Sequence, residues 1–112
     1  QPIGRFQALQ HRMADLFVAL EEARSLTVMA TVSLGGEDTA ARARTVSAAR
    51  IGTISRTLHV AREAIQLHGG VGMTEELAIG AGFKRIKTLE LLFGDEHHHL
   101  DRMAAFGRLA AE

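Results

Sequence analysis

The sequence has no cysteine, no tryptophan, no tyrosine and a single proline. Without cysteine, a disulfide framework and Cys-type zinc sites are excluded, and a reducing, cytoplasmic setting is the expectation. Charge of one sign is also missing: Lys plus Arg and Asp plus Glu stand at 13 each. No basic footprint draws the chain to nucleic acid or to an anionic membrane surface, so neither is expected as a partner. No apolar run approaches the roughly 18 residues of a membrane-spanning helix, and no basic-then-apolar start marks a signal peptide. Scarce proline and aromatics beside abundant alanine and leucine favour helix over sheet.

What is present suits one small all-α domain: 112 residues, 46% of them hydrophobic, supply material for a single core. The chain begins abruptly at Gln1 and Pro2, without a methionine, and is expected to be a fragment of a longer protein. From Phe6 the apolar residues step by three and four through Leu9, Met13, Leu16, Leu20, Ala23, Ala30 and Leu34. That spacing predicts an amphipathic first helix, ended by Gly35-Gly36 and followed by the acids Glu37 and Asp38 at the next N-terminus. A second helix, about 39–67, carries two seams: Val46, Ala49, Thr53, Val60, Ala64 and Leu67, and Ile51, Ile54, Leu58, Ala61 and Ile65. Two seams predict packing from two sides, with Arg42, Arg44, Arg50, Arg56 and Arg62 holding solvated heads over apolar stems. Residues 77–93 predict a third helix, weakened at its start by Gly80 and Gly82. Gly94 breaks it, Asp95 is an N-cap or first-turn acid, and Leu100, Met103, Phe106 and Leu109 mark a fourth helix. Four helices joined by short turns predict an antiparallel up-and-down four-helix bundle.

The organising stretch is Gln66-Leu67-His68-Gly69-Gly70-Val71-Gly72-Met73-Thr74-Glu75-Glu76, where glycines and a helix break coincide. Gly69 suits the left-handed backbone that ends a helix, and Thr74 suits the cap of the next. The segment reads as a glycine-rich corner, or as a ligand loop whose backbone N–H groups approach a phosphate or ring while the Gln66 amide donates and accepts. It matches neither a dinucleotide fingerprint nor a P-loop.

AIQLHGGVGMTEELAIG resembles the Gln-x-x-Gly-Gly-x-Gly segment in the C-terminal helical domain of flavin-dependent acyl-CoA dehydrogenases. The opening QPIGRFQALQHRMADLF is similar to the segment after their Arg-x-x-Phe-Gly motif, and the resemblance covers essentially the whole chain. It implies that the domain clasps FAD and joins subunits in an enzyme that oxidises the α,β-bond of an acyl-CoA substrate. Gln7 and the stretch Gln66, Leu67, His68, Gly69 and Gly70 are the implied FAD contacts, the latter with the adenosine-diphosphate part of a cofactor held mainly by a neighbouring subunit. The implied partners are further copies, as dimer or tetramer, or an unlike acyl-CoA dehydrogenase subunit.

LELLFGDEHHHL departs from the family. Where many members carry Tyr-Glu-Gly-Thr, with the glutamate as catalytic base, this chain has Leu92-Phe93-Gly94-Asp95. Phe93 cannot accept a proton. Gly94 keeps the turn and is the implied substrate contact, while the base is expected upstream of Gln1 or in a partner subunit, Glu90 and Asp95 being poorly placed to substitute. His97-His98-His99 with Asp101 is read as helix surface and not as a metal site, because consecutive helical residues point about 100° apart. The competing reading for the whole chain is a helical interaction module without cofactor.

Overall fold

A computed structural model describes the backbone of residues 3–68 and 73–111, and the side chains of residues 5–67 and 80–107. Four helices follow one another: α1 (Ile3–Ser33), α2 (Thr39–His68), α3 (Met73–Leu91) and α4 (Glu96–Ala111), with no strand among the described residues. None is long and apolar enough to cross a membrane.

α2 is the centre, packed by α1 on one side and by α3 and α4 on another, as its two seams predict. Arg12 meets Glu63 and Arg56 meets Glu22, so α1 and α2 run antiparallel. Moving back along α2, Arg62 covers Phe83, Arg50 reaches the carbonyls of Leu89 and Leu92, Ser47 meets His99, and Arg44 meets the carbonyl of Phe106. α3 and α4 therefore both run antiparallel to α2, one after the other, so the bundle is α1 up, α2 down and a third, bent rod of α3 and α4 up, in place of the four alternating helices that the short turns predict. The result is long and narrow, 60 × 27 × 22 Å.

Among the described residues the buried apolar positions are mostly small: Ala23, Ala43, Ala49 and Ala61, with Leu58. Small side chains let helix axes approach closely, and Gly52 takes this to its limit, since a β-carbon there would sit 2.6 Å from Leu26 Cδ1. α1 turns Leu16, Ala23 and Leu26 toward its neighbours but leaves Phe6, Met13 and Phe17 from 57% to 65% exposed, so part of its apolar stripe faces out.

Each described turn has a local cause. α1 tightens at its end through bonds from Leu34, Gly35 and Gly36 N–H back to Thr31, Val32 and Ser33 carbonyls. Asp38 then caps α2, its Oδ1 accepting from Ala41 N at 3.1 Å. α3 starts at Met73, so Thr74 lies inside its first turn and is not the cap expected there. Glu75 and Glu76 still fall where the helix dipole favours acids. The arginines of α2 correct the expectation of solvated heads. Arg42, Arg44 and Arg50 donate to backbone carbonyls, and Arg56 binds Glu22 as well as the Gly52 carbonyl. Backbone carbonyls of the α1–α2 turn and of the neighbouring helices accept from these guanidinium groups, contacts that periodicity does not reveal.

Candidate functional site

The residues expected to carry function fall in two places. At its C-terminal end, Gln66 is exposed and Leu67 half-buried; His68 closes the helix with its side chain outside the described residues, as are Gly69 and Gly70. Arg12 of α1 donates through Nη2 to Gln66 Oε1 at 3.0 Å and to Glu63 Oε2 at 2.6 Å, with Nε also donating to Glu63. A guanidinium only donates, so Arg12 fixes the amide of Gln66 with its oxygen inward and its NH2 available as a donor. Gln7 lies on the exposed surface of α1. It sits between Arg12 and the start of α1, so the antiparallel register brings it to the same end of the pair as Gln66.

The second place is the break between α3 and α4. Phe93 and Gly94 both take left-handed backbone, with φ of 63° and 95°. Phe93 is 86% exposed. A β-carbon at Gly94 would collide with the His98 ring, which makes glycine a requirement there. Asp95 Oδ1 accepts from His98 N at 2.9 Å and caps α4, as expected. Behind the turn lies a cavity of about 210 Å³ walled by Ile51, Ile54 and Leu58 of α2, Glu90, Gly94, Glu96, and by Arg50 and His99. Arg50 Nη2 donates to the carbonyls of Leu89 and Leu92, the latter at 2.8 Å. Its Nε is buried without a hydrogen-bond partner among the described residues.

His99 departs from the surface reading of the histidine run: it is 7% exposed. Its Nε2 donates to the Phe93 carbonyl at 3.1 Å, and its Nδ1 lies 2.9 Å from Ser47 Oγ, which is fully buried. Burial holds its pKa below the usual 6.5; the Phe93 carbonyl opposes that, and the nearby positive charges of His98, Arg50 and Arg102 reinforce it. The clue was present in the sequence, because His99, Met103 and Phe106 share the i, i+4, i+7 spacing of an inward stripe. His97 and His98 stay outside, His97 3.6 Å from Asp101, and His98 edge-on to His99 with centroids 5.0 Å apart. Among the described residues no three potential metal ligands converge. Arg12, Ser47 and Arg50 had no sequence signal, since each acts through a contact more than thirty residues away in the chain.

The geometry defines an all-α domain with one long central helix and a partner helix broken at a Phe-Gly turn. A family model described as the acyl-CoA dehydrogenase C-terminal domain matches residues 1–107. The chain belongs to that family. It is 36% identical over 105 residues to the acyl-CoA dehydrogenase IpdE2 of Mycolicibacterium smegmatis, covering 94% of this chain and 32% of that protein. Against the acyl-CoA dehydrogenase IpdE2 of Mycobacterium tuberculosis it is 41% identical over 85 residues, 76% of this chain and 24% of that one. With the mitochondrial isovaleryl-CoA dehydrogenase of Arabidopsis thaliana it shares 33% identity over 93 residues, covering 81% and 22%. The chain thus spans no more than about a third of the length of these relatives. No solved structure matches it.

Proposed function

We propose that this chain is the C-terminal domain of a longer FAD-dependent acyl-CoA dehydrogenase, where it contributes part of the FAD clasp and a subunit contact. The observation that carries the reading is the Gln66 amide, exposed at the end of α2 and oriented by Arg12 with its NH2 outward. Such a donor set fits the acceptor-rich diphosphate and adenosine of FAD. Gln7 and the segment Leu67, His68, Gly69 and Gly70 complete the proposed contacts. FAD, when bound, supplies the acceptor for a hydride from the acyl β-carbon. The exposed Phe6, Met13 and Phe17 of α1 support a helix-face contact with a further copy or an unlike dehydrogenase subunit.

The proton from the α-carbon must go to a base other than Phe93. Asp95 is engaged as the cap of α4, and Glu90 is paired with Lys87 at 3.1 Å. Both engagements support a base upstream of Gln1 or on a partner subunit. Gly94 is the proposed substrate contact at this turn, in a conformation that a side chain would strain.

The isolated 112 residues should not retain flavin. A few hydrogen bonds at about 0.5–1.5 kcal/mol each do not offset the several kcal/mol lost on immobilising a free cofactor. Purification of this chain and of the longer protein side by side tests the proposal: flavin absorbance is expected only in the longer one, and acyl-CoA oxidation there once the subunit that carries the base is present. A longer protein that is colourless and stays so with added FAD would refute it.

A further inference from the structure

We infer that Arg50 and His99 are positioning residues that hold the Phe93–Gly94 turn from two different helices and keep the Phe93 ring presented outward. Left-handed backbone is unfavourable for any residue with a β-carbon, and a bulky aromatic there persists only where its surroundings over-determine it. A helix commonly ends on one left-handed glycine. Here α3 ends on a left-handed phenylalanine and only then a left-handed glycine. The surroundings that impose this are specific. From α2, Arg50 Nη2 donates to the carbonyl of Leu92 and also to that of Leu89, which already accepts from the Leu92 N–H at 3.1 Å. From α4, His99 takes the next carbonyl, that of Phe93 itself.

The histidine is held as firmly as the carbonyl it holds. Because a carbonyl can only accept, Nε2 carries the proton; a neutral ring then offers Nδ1 as acceptor to the Ser47 hydroxyl, which is fully buried on α2. The chain of contacts Ser47–His99–Phe93 therefore runs from the central helix through α4 to the turn. Neither Arg50 nor His99 reaches outward with the Phe93 ring, so their action on a ligand at that ring is indirect. The inference rests on the proposed dehydrogenase reading for what Phe93 meets, namely the acyl-CoA substrate at the place where relatives of this fold carry the base. It does not rest on that reading for the clamp.

The experiment uses the longer protein with His99→Leu, His99→Gln and Arg50→Met. Glutamine keeps a donor for the Phe93 carbonyl and an acceptor for Ser47, and leucine keeps neither. Amide hydrogen exchange over 92–96 is expected to accelerate about tenfold or more in His99→Leu and Arg50→Met, to return toward wild type in His99→Gln, and to be unchanged beside Gly52. Butanoyl-CoA and octanoyl-CoA serve as probes of turnover with an artificial one-electron acceptor. KM is expected to rise about tenfold in His99→Leu while kcat stays within about twofold, again with recovery in His99→Gln. Exchange at the turn that ignores His99→Leu, or that glutamine fails to restore, overturns the clamp. If the wild type oxidises these thioesters and His99→Leu loosens the turn without moving KM, the positioning role is overturned. If the wild type oxidises neither thioester, a straight-chain acyl-CoA is not what Phe93 meets in that protein, the KM prediction is overturned for these substrates, and the exchange result alone decides the clamp.

Discussion

Arg12 Nη2 donates to Gln66 Oε1 at 3.0 Å, so a residue of α1 sets the orientation of the amide proposed to meet FAD. The same guanidinium is neutralised by Glu63, which leaves Gln66 to act as a neutral donor. In the longer protein Arg12→Ala should weaken FAD retention on desalting, though less than removal of Gln66 itself, because the amide survives but loses its orientation. The accompanying loss of stability should stay within about 1 kcal/mol, as is usual for a partly exposed ion pair. Retention equal to wild type would show that the Arg12 contact is only structural.

Gly52 lets α1 and α2 close on each other, and Gly80 and Gly82 do nothing of the kind. A β-carbon at 52 meets Leu26 and the Arg56 guanidinium, whereas at 80 or 82 it meets nothing within 4 Å. We predict that Gly52→Val destabilises the chain by about 1–3 kcal/mol through overpacking. Gly80→Ala and Gly82→Ala should each stabilise it by about 0.5–1 kcal/mol, the ordinary gain of alanine over glycine in a helix. Urea unfolding of the three variants checks both signs, and a stabilising Gly52→Val would contradict the close crossing.

That contrast also marks how far the sequence could be read. Apolar steps of three and four and the glycine breaks located the helices, and the two seams of α2 made it the helix packed from both sides. Asp95 was legible as a cap or first-turn acid, and Asp38 as an acid at a helix N-terminus, because both readings need only neighbours in the chain. Thr74 was misjudged as a cap because helical backbone already begins at Met73. What stayed hidden are the long-range ties: Arg50 to the end of α3, Arg12 to Gln66, Ser47 to His99. The reach of a long side chain is set by where distant helices lie and not by local spacing. Of the proposed flavin contacts, only Gln7, Gln66 and Leu67 fall among the described side chains.

His99 should make stability depend on pH in a defined direction. Its folded pKa lies below 6.5, so the unfolded chain binds a proton more readily. Its contribution is complete above the unfolded value and is lost as pH falls through 6.5 toward the folded pKa, below which no more is lost. The groups facing it are Arg50 of α2 and His98 and Arg102 of α4, all of which oppose a charged ring. Glu90, Asp95 and Glu96 share the cavity it lines. Urea midpoints between about pH 7.5 and 5 should fall more steeply for wild type than for His99→Gln, which cannot titrate. Parallel curves would remove His99 from the account.

Phe93 holds a left-handed backbone with its ring 86% exposed, so the ring contributes little burial to offset the conformation. We predict that Phe93→Gly leaves the isolated chain as stable or more stable, by up to about 1 kcal/mol. Thermal unfolding decides this: a clear drop in stability would mean that the ring packs in a way its exposure does not suggest.

The most direct test of the flavin clasp is FAD retention by the longer protein carrying Gln66→Ala, with Phe93→Ala as the comparison. Gln66 lies at the proposed cofactor end of α2 and Phe93 at the other site, so the two substitutions separate flavin from substrate. After gel filtration, flavin absorbance per polypeptide should fall severalfold in Gln66→Ala and stay near wild type in Phe93→Ala. Retention unchanged by Gln66→Ala, or lost equally in both, would contradict the assignment of this end of α2 to FAD.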